Sequence, residues 1–269
     1  MENIIKIHEL TYKNNNKTIL NNLSLNIEQN KWVSIVGPNG SGKSTLIKIL
    51  AGLLPSKGYV NIDNLVLDNY YKEEIRLKLG IVLDNLDNQL IGDIVKDDLA
   101  FPLENLNYKT EEIEKEILKI ASMFDITYLL NKSIKEITNA EKQLVAIASA
   151  LITKPKILLL DDAFHQLEPS TKQKLLKNIK KYMKENKLTI VMVTQNLEDT
   201  LYSDKIVILN NGKKITEGTP LSILKQEKVL KENYLSRPFI IELSQKLMLY
   251  NLIDHIYLDE RKLVDDLWK

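Results

Sequence analysis

No cysteine occurs among the 269 residues, which removes disulfide frameworks, thiol nucleophiles and cysteine-ligated metals together. Arginine is scarce too. Only Arg76, Arg237 and Arg261 stand among 37 basic residues, and 36 acidic residues leave a formal charge of +1. So balanced a chain argues against a dedicated nucleic-acid binder. The lysine-dense stretch Thr171 to Lys187 carries Leu175, Leu176, Ile179 and Met183 at helical spacing, and reads as a solvated amphipathic helix more simply than as a binding face. Long apolar runs are missing: the best, LVAIASALI from Leu144 to Ile152, falls short of the ~18 residues of a membrane-spanning helix. Any service to a membrane is expected from outside it. The first residues, MENIIKIHEL, lack a charged segment followed by an apolar core, so no secretory signal is expected and the cytosol is the expected compartment.

What is present is an ordinary globular composition, 44% hydrophobic, at a length that suits one large domain with a small appendage. Strand-like and helix-like stretches alternate, as in an α/β protein with a mostly parallel sheet. Trp32 to Val36, Ile157 to Leu160 and Thr189 to Val193 are bare apolar runs suited to strands buried on both faces. Ile206 to Leu209, then Asn211-Gly212, then Lys214-Ile215 predicts a hairpin. Between Gln89 and Ile152 the pattern turns helical. Thr110 is the expected N-cap of a helix with Ile113, Ile117, Ile120 and Phe124 on one face. We expect a helical subdomain over about residues 90–152 within a nucleotide-binding domain of residues 1–225. A small helical appendage over 226–269, broken at Pro238, is expected to follow.

Residues 37–45 read GPNGSGKST and fit G-x-x-x-x-G-K-[ST], with Gly37, Gly42, Lys43 and Ser44 at the fixed places and Pro38, Asn39, Gly40, Ser41 and Thr45 completing the loop. Context agrees: a strand ends at Val36 and an apolar helix follows, so loop amides and a helix N-terminus converge where a phosphate would sit. Lys43 is expected to reach the β- and γ-phosphates of ATP, and the Ser44 hydroxyl to ligate Mg2+. Asp161, ending the strand ILLLD, is the expected second anchor for Mg2+ through its water shell.

With these motifs the chain resembles the ATP-binding subunits of ABC transporters over nearly its whole length. Tyr12 stands where that family places an aromatic against adenine. GIVLDNLDNQ (residues 80–89) looks like its Q-loop segment, and VKDDLAFPLENL (95–106) and the C-terminal stretch resemble the energy-coupling factor importers. The resemblance implies an α/β P-loop NTPase core with an inserted helical subdomain and a small C-terminal helical dimerisation appendage. It also implies peripheral attachment at the cytoplasmic face of the membrane. The implied partners are a second ATP-binding subunit, with a heterodimer expected, a transmembrane coupling subunit and a substrate-binding membrane subunit.

Several family positions hold other residues. Asp84 takes the place of the Q-loop glutamine. ITNAE (137–141) takes the place of the LSGGQ signature, and Asp162 that of the general-base glutamate. Glu168 stands for the D-loop aspartate and Gln195 for the switch histidine. The only histidines are His8, His165 and His255, none close in sequence to that position, so no shifted switch histidine is expected. In the family the signature faces the partner's nucleotide. Thr138 keeps a hydroxyl there while Asn139 and Ala140 add side chains. Thr138 and Glu141 equally form a capping box that starts the helix with or without a nucleotide. Asp162 is one methylene short of glutamate, and Gln195 bonds a phosphate without a histidine's charge. Asp84 either ligates Mg2+ or repels the γ-phosphate. Two readings compete: a working ATPase site, slowed, in which Asp162, Gln195 and Asp84 serve the chemistry; or a nucleotide-dependent clamp whose partner hydrolyses.

Overall fold

Strand and helix alternate along the computed structural model, which describes residues 2–86 and 89–268. In chain order the elements are β1 (Asn3–Asn14), β2 (Lys17–Glu28), β3 (Trp32–Val36), α1 (Lys43–Leu50), β4 (Lys57–Ile62), β5 (Leu65–Val66), α2 (Lys72–Arg76), β6 (Leu79–Val82), α3 (Val95–Asn105) and α4 (Thr110–Met123). There follow α5 (Asn139–Ile152), β7 (Ile157–Asp161), α6 (Pro169–Asn186), β8 (Thr189–Thr194), β9 (Lys205–Asn210), β10 (Lys213–Gly218), α7 (Pro220–Leu224), α8 (Glu227–Glu232), α9 (Phe239–Leu249) and α10 (Glu260–Leu267).

The larger sheet has the order β10-β9-β3-β8-β7-β6. Its strands run parallel except β10, which closes the edge as an antiparallel hairpin with β9. Successive residues of β7 and β8 feed two different cores, which is why both strands are unbroken apolar runs. Leu158, Leu160, Ile190 and Met192 meet α5 and α6 through Ile147, Leu151, Leu176 and Ile179. Leu159, Val191 and Val193 face the other way, onto Leu46 and Ile49 of α1 and onto Ile5 and Leu25 of a second sheet. That sheet, β2-β1-β4-β5, is antiparallel. Fully burying a side chain of this size contributes ~1.5–3 kcal/mol, so the clamped parallel strands form a stiff platform. Their C-terminal ends carry the loops of the site.

A third core ties the chain's end to this platform. Val36, Leu197, Ile206 and Ile208 pack with Leu230, Ile240, Ile241 and Leu263. Pro238 is the N-cap of α9, where its fixed φ and missing N–H are compatible with a helix start.

At two turns the chemistry of the residues sets the path. Asn211 (φ 48°) and Gly212 (φ 71°) form the β9–β10 turn, left-handed at both positions as a two-residue hairpin requires. A side chain at Gly212 would place its Cβ 2.3 Å from the Ile19 carbonyl, and the Gly212 N–H donates to the Ser41 carbonyl at 3.0 Å, so this turn buttresses the phosphate loop. One expected cap is corrected. Helix α4 is capped by Lys109 rather than Thr110, because Glu112 in its first turn reaches back to accept the Lys109 N–H at 3.1 Å. Thr110 is then its first helical residue.

Candidate functional site

β3 delivers the chain into residues 37–42, and α1 starts at Lys43. Gly42, at φ 105°, makes the turn into the helix, and a Cβ there would lie 2.7 Å from the Leu20 side chain. The Lys43 ammonium donates to the carbonyls of Gly37 (2.8 Å) and Pro38 (3.1 Å), which engages two of its three N–H groups. Burial pushes the Lys43 ammonium below its ordinary value, against the pull of Asp162 and Asp161. Ser41 is 2% exposed and its Oγ has no hydrogen-bond partner among the described residues. A buried donor left open in a loop of this shape fits a phosphate oxygen. Asn39 and Gly40 form the exposed tip, and Pro38, Ser44 and Thr45 are half-buried.

At the end of β7, Asp161 is 1% exposed and its Oδ1 accepts the Ser44 hydroxyl at 2.8 Å. A hydroxyl and a carboxylate joined in this way form an oxygen donor set that suits Mg2+. Asp162, next along, adopts φ 47°, and its N–H donates to the Val193 carbonyl of β8 at 3.0 Å. Burial raises the Asp162 carboxyl above the usual carboxylate range; Lys43 opposes this and Asp84 adds to it, while the Gln195 backbone N–H donates to that carboxyl. Burial likewise raises Asp161, and the neighbouring charges of Asp162 and Asp84 push in the same direction. Three carboxylates therefore share a site with one lysine. Such an arrangement concentrates negative charge beside the phosphate loop.

Gln195 follows β8 and is exposed; its Nε2 donates to Asn39 Oδ1 across the mouth of the phosphate loop. Asp84, after β6, is exposed on 65% of its side chain. A histidine outside the switch position does approach the site. His165, in the loop after Asp162, has its Nδ1 2.7 Å from the Asp162 carbonyl and 3.8 Å from Asp84 Oδ1. It reaches the site from the Asp161 side, through a loop that sequence distance from Gln195 did not reveal. Gln89 is a second residue the sequence reading passed over: its amide accepts from Leu83 N–H (3.0 Å) and donates to the Ile81 carbonyl (2.7 Å), pinning the segment that carries Asp84 to β6. Asp87 and Asn88 of that segment lie outside the described residues.

Matched against known proteins, residues 20–165 fit the ABC transporter family. The chain belongs to the ABC transporter family. An energy-coupling factor transporter ATP-binding protein of Pediococcus pentosaceus is 36% identical over 243 residues, covering 89% of this chain and 87% of that one. One from Mycoplasmopsis synoviae is 34% identical, covering 96% and 97%. Among solved structures, cbiO1 from Clostridium perfringens, described as part of the ABC transporter complex cbiONQ, superposes with a TM-score of 0.77 at 28% identity over 86% of this chain and 94% of that one. The ATP-binding cassette MJ0796, solved as a dimer bound to ADP and Pi, superposes at 0.74 with 30% identity, over 80% and 98%. The chain is an ATP-binding subunit of the energy-coupling factor type, with the ABC ATPase fold and ATPase activity of that class.

In this ABC subunit Thr138–Glu141, the residues expected to take the place of the signature, lie apart from the phosphate loop. Thr138–Glu141 starts α5, which packs on α3, α4 and β6, whereas α1 packs on β7, β8 and β2. The capping box is formed: Thr138 Oγ1 accepts the Glu141 N–H at 3.2 Å, and Glu141 Oε2 accepts the Thr138 N–H at 2.8 Å. Glu141 also accepts the Tyr128 hydroxyl at 3.0 Å. Burial would raise the Glu141 carboxyl, but these bonds and Lys132 hold it below its ordinary value. Asn139 and Ala140 occupy the first helical turn. Tyr12 on β1 pairs with Leu20, the residue that backs Gly42, and is half-buried against the second core. Among the described residues no helix is long and apolar enough to cross a membrane.

Proposed function

We propose that this ABC ATPase pairs with a second, different ATP-binding subunit and works on the cytoplasmic face of a membrane, beneath a transmembrane coupling subunit and a substrate-binding membrane subunit. The names of its relatives support membership of a transporter complex. The exposed Ile91, on the segment between Gln89 and α3, offers an apolar contact to such a membrane subunit. That segment is anchored by the buried Asp98, which accepts the Ile91 and Gly92 N–H groups at 2.9 and 3.3 Å.

The observation that carries the catalytic reading is the Ser44–Asp161 hydrogen bond beside Asp162. In this reading Gly37, Pro38, Asn39, Gly40, Ser41, Gly42, Lys43, Ser44 and Thr45 cradle the phosphates of ATP, with Tyr12 against the base. Ser44 and Asp161 hold Mg2+, which supplies charge neutralisation at the phosphates. Asp162 polarises water, and Gln195 and Asp84 flank it. A carboxylate one methylene short of glutamate gives slow turnover, since a misplacement of about 1 Å costs up to ~10²-fold. Thr138, Asn139, Ala140 and Glu141 face the partner's nucleotide and touch that site too, but the weakened catalytic residues lie in this chain's own site, so most hydrolysis, itself slow, is expected in the partner's site.

The test is ATP hydrolysis by the assembled complex with Asp162→Asn made only in this chain. The reading expects a partial loss, well under half of the total rate, while Lys43→Ala removes nucleotide from this loop. Unchanged hydrolysis with ATP still bound here would make the chain a clamp. Loss of nearly all activity would place the main catalytic site in this chain.

A further inference from the structure

We propose that His165 is a positioning residue of this nucleotide site. Its Nδ1–H holds the left-handed turn at Asp162 through the Asp162 carbonyl and so fixes the direction of the Asp162 carboxylate. The inference rests on the proposed role of Asp162 as the carboxylate that polarises water.

A non-glycine residue at φ 47° sits in a conformation disfavoured by roughly 1–2 kcal/mol, relieved in part for aspartate by its short polar side chain. Three contacts hold Asp162 there. Its N–H donates to Val193, its carboxyl accepts from Gln195 N–H, and its carbonyl lies 2.7 Å from His165 Nδ1. The first two come from the rigid end of β8 and the third from a side chain. At 2.7 Å from a carbonyl oxygen the ring nitrogen must carry the proton, because a bare nitrogen lone pair would repel that oxygen. The geometry therefore assigns the Nδ1–H tautomer.

The ring is itself held from behind. Gln143 of α5 is 1% exposed, and its Nε2 lies 3.3 Å from the same Nδ1; with the Nδ1 proton given to the Asp162 carbonyl this is a packing contact and not a hydrogen bond. On the open side Asp84 Oδ1 lies 3.8 Å away, while 45% of the histidine side chain is exposed. One imidazole thus touches the Asp162 turn, the segment after β6 and the helix that begins with Thr138–Glu141. Removing it leaves the Asp162 carbonyl without this partner and gives the carboxylate more than one orientation. The expected signature is a fall in turnover with nucleotide affinity retained, because Lys43, Ser41 and Ser44 are untouched.

Two measurements test this. In the full-length chain, nitrogen-15 spectra of the imidazoles, recorded at alkaline pH where free imidazole is neutral, expect His165 as the Nδ1–H tautomer; only His8 and His255 share that region, and substituting each assigns the third. In the assembled complex with the partner's catalytic carboxylate substituted, the remaining hydrolysis reports this chain's site. There His165→Ala is expected to lower kcat about tenfold with KM for Mg-ATP within about twofold, and His165→Asn, which keeps a donor near Nδ1, to recover most of the rate. An Nε2–H tautomer overturns the proposal, as does equal impairment by Ala and Asn or an unimpaired Ala variant. If the unsubstituted chain shows no remaining hydrolysis, it is the proposed slow turnover that fails. The tautomer then decides alone: Nδ1–H keeps His165 as the positioning residue of a nucleotide clamp, and Nε2–H rejects it.

Discussion

At Asp162, proposed above to polarise water, the buried charge opposes stability. Its carboxyl is raised by burial and by the nearby Asp84, so the charged form is disfavoured in the folded chain relative to the unfolded one. The sign follows directly. An acid whose folded pKa lies above its unfolded value costs stability above that folded pKa, and the cost vanishes as the pH falls below the unfolded value near 3.8. At pH 7, without nucleotide or Mg2+, Asp162→Asn is therefore expected to raise the melting temperature by about one to two degrees. Asparagine tolerates the left-handed backbone as aspartate does, so the turn survives the substitution. Differential scanning calorimetry in chelator checks this, and a lower melting temperature would show that the carboxylate's bond from Gln195 outweighs its desolvation. An energetic cost of this kind agrees with the proposed role of Asp162 in the chemistry.

At the scale of elements, the doubly buried strands β3, β7 and β8 and the β9–β10 hairpin were legible and the strands β1 and β2 of the second sheet were not, for a physical reason. β3, β7 and β8 are buried on both faces, so they stand out as apolar runs. β1 and β2 alternate burial, are interrupted by register shifts, and carry positive φ at Glu9 and Asn22, which blurs their period. The turns Asn15-Asn16 and Asp63-Asn64, left-handed at all four residues, were the available signal for those hairpins. The phosphate loop was legible because it is contiguous in sequence; His165, Gln89 and Gln143 join it only through folding. Asp63 shows how such a turn is fastened. Burial alone would raise its carboxyl, but hydrogen bonds from Lys156 and Lys78, at 2.8 and 3.0 Å, hold it below its ordinary value and tie the β4–β5 turn to the starts of β6 and β7. For Lys78, burial is likewise outweighed, and its ammonium is raised. A depressed acid contributes stability above its unfolded pKa and loses it as the pH falls through the folded value; a raised lysine contributes below its unfolded pKa and loses it above the folded one. The cluster thus stabilises most fully between about pH 3.8 and 10.5. Asp63→Asn is expected to cost about 1 kcal/mol in denaturant titration at pH 7, discounted because Lys156 is well exposed. That difference should shrink at pH 3; a constant difference would mean that the amide fails for steric rather than electrostatic reasons.

Across the whole molecule, the last three helices divide their apolar residues between two tasks. Ile240, Ile241 and Leu263 are buried in the core that also contains Val36, the residue before the phosphate loop, and Leu197, beyond Gln195. Glu198 strengthens that link by accepting the Phe239 N–H at 2.7 Å. The appendage is therefore part of the platform that presents the nucleotide loops. Leu249, Tyr250 and Trp268, by contrast, are 82%, 77% and 86% exposed, and are the side chains the proposed second ATP-binding subunit is expected to cover. The two groups should separate experimentally. Ile241→Ala leaves a cavity and is expected to cost about 2–4 kcal/mol, with ATP binding weakened as the loops lose their support. The pair Leu249→Ser and Trp268→Ser removes side chains that touch mainly water, so the melting temperature should stay within about a degree while association with the second ATP-binding subunit weakens. Sedimentation of the full-length chain with its partner, beside thermal melts of each variant, makes the comparison. Undiminished association in the serine pair would move the dimer contact away from the appendage. A large loss of stability in that pair would show that these side chains belong to the core after all.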